Sequence, residues 1–432
     1  MSTLNDLTEL NRALDEQPAA LDRLRNHWRG EAPAAFLSKK SRDALDGRLG
    51  RLSINIPRLV VNSKVDRLTI TGIVGSDGRP ADDLTAAWNR SGMVTESELV
   101  HADYYLYGRS YVLVWPDAAG NARPMGGNPF TMYVDDDGTP GTATRGIRRW
   151  TAGGKTHALV FTPEEVTRYR SDAPDFAAAP GGWGVVKRSE NPYGIVPIVP
   201  FVRRMSADDH DGTSAVADVL DLTEALTKVL SDALVTSEHY ARPRRWATGL
   251  EIEEDDDGNP IDPFGDSRFL QSEDPATKFG QFDAVRLDGY TDLTATLTQQ
   301  IGSLTGLPPH YLGLHGDQPA NADGVRAAEA QLASAAYSDQ RHLDRPWSAV
   351  AQLMAATANP AAFDAGGSDY RPSWESPEIR TPAQAADAAQ KQRAMGVPLE
   401  TVLTRVLGYS PDDAATVAAT ARREQRIEME EA

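Results

Sequence analysis

The stretch Ile301-Gly-Ser-Leu-Thr-Gly-Leu-Pro-Pro-His-Tyr-Leu-Gly-Leu-His-Gly-Asp-Gln-Pro-Ala-Asn-Ala-Asp-Gly-Val-Arg-Ala-Ala-Glu-Ala-Gln-Leu332 is two helical patterns with a break between them. Gly306 ends the first, because glycine supplies the left-handed cap that a helix end favours. Pro308 and Pro309 have no backbone donor and forbid continuation. A Gly-rich polar segment follows, and Asn321, with Asp323 two residues on, can cap and charge the first turn of the next helix. The reading is a helix, a hinge at Gly306, Pro308 and Gly313, a polar loop carrying His315, Asp317, Gln318 and Asn321, and a second helix. A plain surface turn between helices would read the same way locally.

Working outward, the flanking patterns are long. Upstream, Leu293, Leu297, Ile301 and Leu304 form an amphipathic stripe. Downstream, Val325, Ala328, Leu332, Ala335 and Leu343 repeat it, Pro346 is expected to kink the helix, and Asn359-Pro360 stops it. An earlier helix, capped by Thr213 or Ser214 and ended by Pro243, carries Val216, Val219, Leu220, Leu226, Val229, Leu230 and Leu234. Between these two helices lies a short acidic region with strand-like pieces. It holds Phe264, Phe269, Phe279 and Phe282, which so small an insert can hardly bury alone.

From about 109 to 203 the period shortens to two. Ser110–Trp115, Thr131–Val134, His157–Phe161, Val166–Tyr169 and Gly184–Lys187 are expected strands of a meandering antiparallel sheet, separated by turn signals such as Asp135-Asp-Asp-Gly138. Ile195–Val202, apolar with two prolines, reads as a buried edge strand. Ahead of this region, residues 55–72 read as a short helix feeding a strand and 83–108 as a helix. Leu4, Leu7, Leu10 and Leu14 suggest a surface helix pair or an arm lying on a neighbour. The tail reads as helices near 382–395, 398–407 and 411–428.

Composition narrows function. The 432 residues carry 62 acidic against 44 basic side chains, a formal charge of -18. That balance suits solubility and argues against a protein that grips nucleic acid by neutralising phosphates. No apolar run is long enough to span a bilayer, so no membrane is expected. There is no cysteine and no signal-peptide pattern, which fits assembly in a reducing cytoplasm. There is no phosphate-binding loop or nucleophile elbow. His310 and His315 lie five apart across a turn, the wrong spacing for a helical metal pair. In the acidic turn starting at Glu253, the twelfth position is Phe264, where a calcium loop needs a carboxylate. No catalytic residue, cofactor or metal is therefore expected.

Several motifs, in chain order, resemble the portal proteins of tailed bacteriophages. They are His27-Trp-Arg-Gly30, Asn55 to Val61, Pro243-Arg-Arg-Trp-Ala-Thr-Gly249, Thr305-Gly-Leu-Pro-Pro-His-Tyr-Leu-Gly313, Trp374-Glu-Ser-Pro377, Ala385 to Lys391 and Gly396-Val-Pro398. Gly324 departs from the alanine usual there and weakens the first turn after the loop. The resemblance implies an α+β portal fold: an α/β wing (1–212), stem helices (213–240 and 290–306), a small β-containing clip (241–289), a tunnel loop (307–321), a kinked wing helix (322–358) and a helical crown (359–432). It further implies a dodecameric ring at the capsid vertex, a head-tail connector through whose channel double-stranded DNA passes non-specifically. Its partners would be other copies of the chain, the terminase large subunit, the head-tail adaptor and the major capsid protein. The tunnel loop would face DNA, and the four clip phenylalanines would serve partner docking. Another virion, head-morphogenesis or adaptor protein is the alternative.

Overall fold

The structure, a computed structural model, describes residues 4–16, 18–32, 53–136, 143–173, 182–240, 245–249, 275–281, 287–314, 322–358, 369–378 and 382–431. The chain divides into two compact units: Met1–Ala32, Asn55–Leu220 and Gly302–Ala432 form the first, Pro33–Ile54 and Asp221–Ile301 the second.

The first unit is layered around two antiparallel sheets. Strands β4 (Met132–Asp136), β5 (Ala143–Ala152), β6 (Lys155–Phe161), β7 (Glu165–Ser171) and β8 (Gly184–Glu190) form a five-stranded meander in sequence order. Strands β2 (Arg109–Pro116), β3 (Ala122–Gly127) and β9 (Ile198–Val202) form a separate sheet in the order β3-β2-β9. The meander is therefore as expected, but the region folds into two sheets instead of one. Strands β3 and β5 were not foreseen because Ala122-Arg-Pro-Met-Gly-Gly127 and Ala143-Thr-Arg-Gly-Ile-Arg-Arg-Trp-Thr-Ala152 carry Gly, Pro and Arg where alternation would be read. Strand β9 is buried and lies at its sheet edge, where Pro200 is tolerated.

Both faces of β5, β6 and β7 carry packed side chains, whereas β8 is exposed along its length. On one side lies α1 (Leu4–Asp15), whose Leu7, Leu10 and Leu14 pack with Ile147, Ala158, Val160 and Tyr169. The N-terminal helix is thus docked on its own sheet, not an arm on a neighbour, and ion pairs fix it there: Arg145 binds Asp6, Glu9 and Asp135, while Arg149 binds Asp15. A second helix, α2 (Pro18–Arg29), follows. On the other side Phe161 and Val166 meet Tyr111, Leu113 and Ile198 of the smaller sheet.

The smaller sheet carries helices in its turn. The expected 83–108 helix is two, α4 (Asp82–Arg90) and α5 (Met93–Tyr107), broken at Ser91-Gly92. Gly108 then meets Gly212 so closely that a Cβ on Gly108 would lie 2.6 Å from the Gly212 carbonyl carbon, and both glycines have positive φ. The expected 55–72 helix and strand are α3 (Ile56–Val65) and β1 (Ile70–Gly75). Asn55 caps α3, its Oδ1 accepting from the Arg58 amide.

The long helix α8 (Ala322–Ala358) continues through Pro346, and its Trp347 sits fully buried among Trp88, His101 and Phe201. The tail, read as a helical crown with its first helix near 382, also contributes a strand, β12 (Tyr370–Trp374), which pairs antiparallel with β1 across some 300 intervening residues. Three helices follow, α9 (Pro382–Ala394), α10 (Leu399–Leu407) and α11 (Pro411–Glu431), close to their expected limits.

The second unit contains α6 (Leu220–Tyr240, from Asp221), a two-stranded ribbon of β10 (Arg245–Thr248) and β11 (Lys278–Gln281), and α7 (Asp288–Thr305, to Ile301). Helix α6 begins later than the cap at 213 or 214 suggested, because a 3-10 turn at Ala217–Val219 precedes it. The Thr236 and Tyr290 hydroxyls lie 3.1 Å apart.

Candidate functional site

The break after α7 has the local chemistry its residues dictate. The Gly306 amide donates to Gly302 O at 2.9 Å, and Gly306 then turns into the left-handed region at φ 70°. A side chain there would be strained, and its Cβ would also lie 3.2 Å from Gln331 Nε2. Pro308 is extended, at φ -58° and ψ 142°, and opens a short 3-10 turn at Pro309–Leu312. Gly313 closes it at φ 72°. Gly306, Pro308 and Gly313 therefore bound one compact turn.

This turn is tied down by a buried polar network that the sequence did not announce. Arg67, just past α3, donates from Nη2 to the Tyr311 hydroxyl at 2.9 Å and from Nη1 to the Pro377 carbonyl at 3.0 Å. Glu329, in the second turn of α8, places Oε2 3.5 Å from Arg67 Nη2, and both side chains are only 9% exposed. The Tyr311 hydroxyl donates to Glu329 Oε1 at 3.4 Å, and His310 Nε2 lies 3.6 Å from the same oxygen. Four distant stretches of chain thus meet at one buried ion pair: the end of α3, the Pro309–Leu312 turn, the start of α8 and the segment after β12. The one available signal was Glu329 itself, an acid within the apolar stripe between Val325 and Leu332. A charge at a core position needs a buried partner.

The other expected site residues fall unevenly. His315, Asp317, Gln318 and Asn321 lie outside the described residues, as do Phe264, Phe269 and Phe282. Phe279 is on β11, opposite Ala247, and is 36% exposed. Trp246, opposite Gly280, is 39% exposed, and its ring lies over that glycine so closely that a Cβ there would meet it at 2.5 Å. The ribbon thus presents one aromatic on each face. Of the stripe on α7, Ile301 is fully buried, whereas Leu293 and Leu304 are exposed.

Among the described residues no group of His, Asp and Glu side chains is disposed to hold a metal ion, and no helix is long and apolar enough to cross a membrane. His101 is wholly buried, and burial holds its pKa down at about 3. The Trp347 indole N–H donates to His101 Nε2 at 2.9 Å, which requires that nitrogen unprotonated. Nearby on α5, burial pushes the Asp103 carboxyl up to about 7.

Residues 11–429 match the model of a family described as phage portal protein, SPP1 Gp6-like. The portal protein of Mycobacterium phage D29 is 28% identical over 388 residues, covering 83% of this chain and 76% of that protein. The portal protein of Mycobacterium phage L5 is 27% identical over 365 residues, covering 78% and 72%. Among solved structures, a chain from "Neck of native GTA particle computed with C12 symmetry" has a TM-score of 0.48 at 15% identity, covering 90% of this chain and 95% of that one.

Proposed function

The chain belongs to the SPP1 Gp6-like family of phage portal proteins, and from that premise we propose that its copies close into a ring of about twelve at the capsid vertex. The ring surrounds a channel for double-stranded DNA, docks the terminase large subunit during packaging, and later holds the head-tail adaptor. The major capsid protein surrounds it. Its role is mechanical: terminase hydrolyses ATP, and this chain supplies a path and a dock. Assembly takes place in the host cytoplasm. The observation that carries this reading is the family match from residue 11 to residue 429, nearly the whole chain.

Within that reading, 1–212 with 322–358 is the wing, 213–240 and 290–306 the stem, 241–289 the clip, 307–321 the tunnel loop and 359–432 the crown. Exposed Leu234 and Leu293 are apolar surface for neighbouring stems, and exposed Trp246 and Phe279 for partners or neighbours at the clip, with Phe264, Phe269 and Phe282. His315, Asp317, Gln318 and Asn321 face DNA with little means of gripping phosphates, consistent with the charge of -18.

Native mass spectrometry with negative-stain imaging of the purified chain tests the assembly: a closed ring of about twelve is expected, and a monomer or dimer at every concentration refutes it. For the loop, removing Leu314 to Pro319 with a two-glycine bridge leaves ring mass unchanged but impairs packaging or genome retention. A deletion phage that packages and holds DNA like its parent removes the loop from the mechanism.

A further inference from the structure

Strand β5 carries arginines on both faces of the meander, and the two faces treat them differently. Arg145 and Arg149 point to α1, where Asp6, Glu9 and Asp15, with Asp135 of β4, neutralise them. Arg148 points the other way. Register places Arg148 opposite Leu159, and Leu159 opposite Arg168, so the three side chains form one row across β5, β6 and β7. Arg123 of β3 reaches the same place from the smaller sheet, and together they line a cavity of about 350 Å³. Its apolar lining includes Trp115, Met125 and Leu159, and Trp150 forms a wall. The Arg148 and Arg168 guanidinium carbons lie 5.1 and 5.9 Å from the Trp150 ring centre, with the His157 ring stacked on the same indole.

No ion pair among the described residues involves Arg123, Arg148 or Arg168. The one acid in the lining, Asp117, is used by its own turn: Oδ1 accepts the Ala119 amide at 2.8 Å and the Asn121 amide at 2.9 Å. Burial and the neighbouring Arg123 both lower the pKa of Arg148, the sign of positive charge left uncompensated. In a chain with a net charge of -18, three guanidinium groups without an ion-pair partner gather over an apolar floor, and the Arg123 and Arg168 side chains are exposed for a partner to reach.

We propose that this cavity between the two sheets is a docking site for an acidic peptide segment of a protein partner, one apolar side chain flanked by carboxylates. The guanidinium forks match carboxylates in shape and charge. The apolar floor takes the side chain between them. A lone phosphate would leave that floor uncovered. Duplex DNA offers phosphates but no apolar group that can leave its stack to enter. Complementarity of charge and of apolar surface together therefore selects the peptide.

The test titrates the full chain with a dye-labelled peptide, Glu-Asp-Leu-Asp-Glu, read by fluorescence anisotropy. Saturable binding is expected, weakened on the order of tenfold or more by Arg168→Glu and by Arg123→Glu, both on exposed side chains that leave folding unchanged by circular dichroism. Replacing the peptide's leucine by serine also weakens it, and rising salt weakens it further. Absence of saturable binding at millimolar peptide, or binding indifferent to both reversals, overturns the proposal. So does displacement by inorganic phosphate at equal concentration, which would make the cavity a small-anion site. Tighter binding of a labelled oligothymidylate would make it a nucleic-acid site and overturn it equally.

Discussion

The Arg67–Glu329 pair is the most exposed to test of all the contacts that fix the Pro309–Leu312 turn. At 3.5 Å and an effective dielectric near 20, the attraction is about 5 kcal/mol before desolvation is subtracted. Both side chains are nearly buried, so the net value is much smaller, but removing one partner alone strands the other. Arg67→Leu leaves the Glu329 carboxylate with one long bond from Tyr311 at 3.4 Å and with His310, and a loss of about 3 kcal/mol is expected. Glu329→Leu leaves Arg67 its bonds to the Tyr311 hydroxyl and the Pro377 carbonyl, so the loss is smaller, about 2 kcal/mol. The double variant strands neither charge and should sit within about 1 kcal/mol of the better single variant, far from the sum. Urea denaturation at one fixed protein concentration measures the cycle, since assembly makes apparent stability concentration-dependent. Hydrogen exchange supplies the local readout. The Tyr311 and Gly313 amides, which donate to Pro308 O and His310 O, lose protection in Arg67→Leu, while amides around the buried Trp347 keep theirs. Additive losses, or exchange that rises equally in both places, would show that the pair does not hold the turn.

Three further outcomes follow from the geometry. Gly306→Ala meets both a positive φ and Gln331 at 3.2 Å, whereas Gly313→Ala meets only the φ, so thermal unfolding should show a loss of about 1–2 kcal/mol for the first and the smaller loss for the second. Leu10→Ala opens a cavity beneath α1 and should cost about 2–4 kcal/mol in dilute, unassembled protein; no effect there would mean that α1 docks on a neighbour after all. The third concerns pH. His101 has a folded pKa near 3 against an ordinary 6.5, so the unfolded chain binds the extra proton and stability falls as pH drops from 6.5 toward 3. Asp103 has a folded pKa near 7 against 3.8, so the folded chain binds the extra proton and stability falls as pH rises from about 4 to 7. The two slopes oppose between 4 and 6.5. Asp103→Asn should uncover the His101 slope in thermal melts and stabilise the protein at pH 8; a profile parallel to the parent's would contradict the burial argument.

How much of this was legible in the sequence depended on whether the cause was local. The helix break was, because Gly306 and Pro308 act through their own backbone. So were the tail helices, punctuated by Gly396-Val-Pro398 and Gly408-Tyr-Ser-Pro411. Strand β12 was not legible: Tyr370-Arg-Pro-Ser-Trp374 is a strand because β1 offers it an edge from the far end of the chain. Pairing at that separation leaves no mark in a window of ten residues. The docking of α1 was half legible. Leu7, Leu10 and Leu14 declared an apolar face, but the matching charges, Asp6 and Glu9 to Arg145 and Asp15 to Arg149, sit on a strand whose own pattern was obscured by those same arginines. The anchoring network was illegible except through Glu329, since its other members are ordinary surface types until the fold brings them together.

Helix α8 explains why the anchor matters mechanically. After Glu329, successive turns hand its side chains to different elements: Asp339 accepts from the Tyr105 hydroxyl at 2.7 Å, Gln340 donates to the Glu375 carbonyl at 3.1 Å, Asp344 accepts from the Trp374 indole at 2.6 Å, and Trp347 bonds His101. Helix α8 is weakest at its N-terminus, where Gly324 in the first turn costs about 1 kcal/mol relative to alanine. From Asp339 onward the helix is held by several bonds in parallel, so displacing it there would require breaking them together. Glu329 lies one turn inside the weak end, and it meets the Pro309–Leu312 turn through Tyr311 and His310 as well. The Pro309–Leu312 turn and the start of α8 therefore converge on one buried carboxylate. The Arg67–Glu329 ion pair thus joins that turn to the helix, which is why its cycle should report on the turn while the packing around Trp347 stays unchanged.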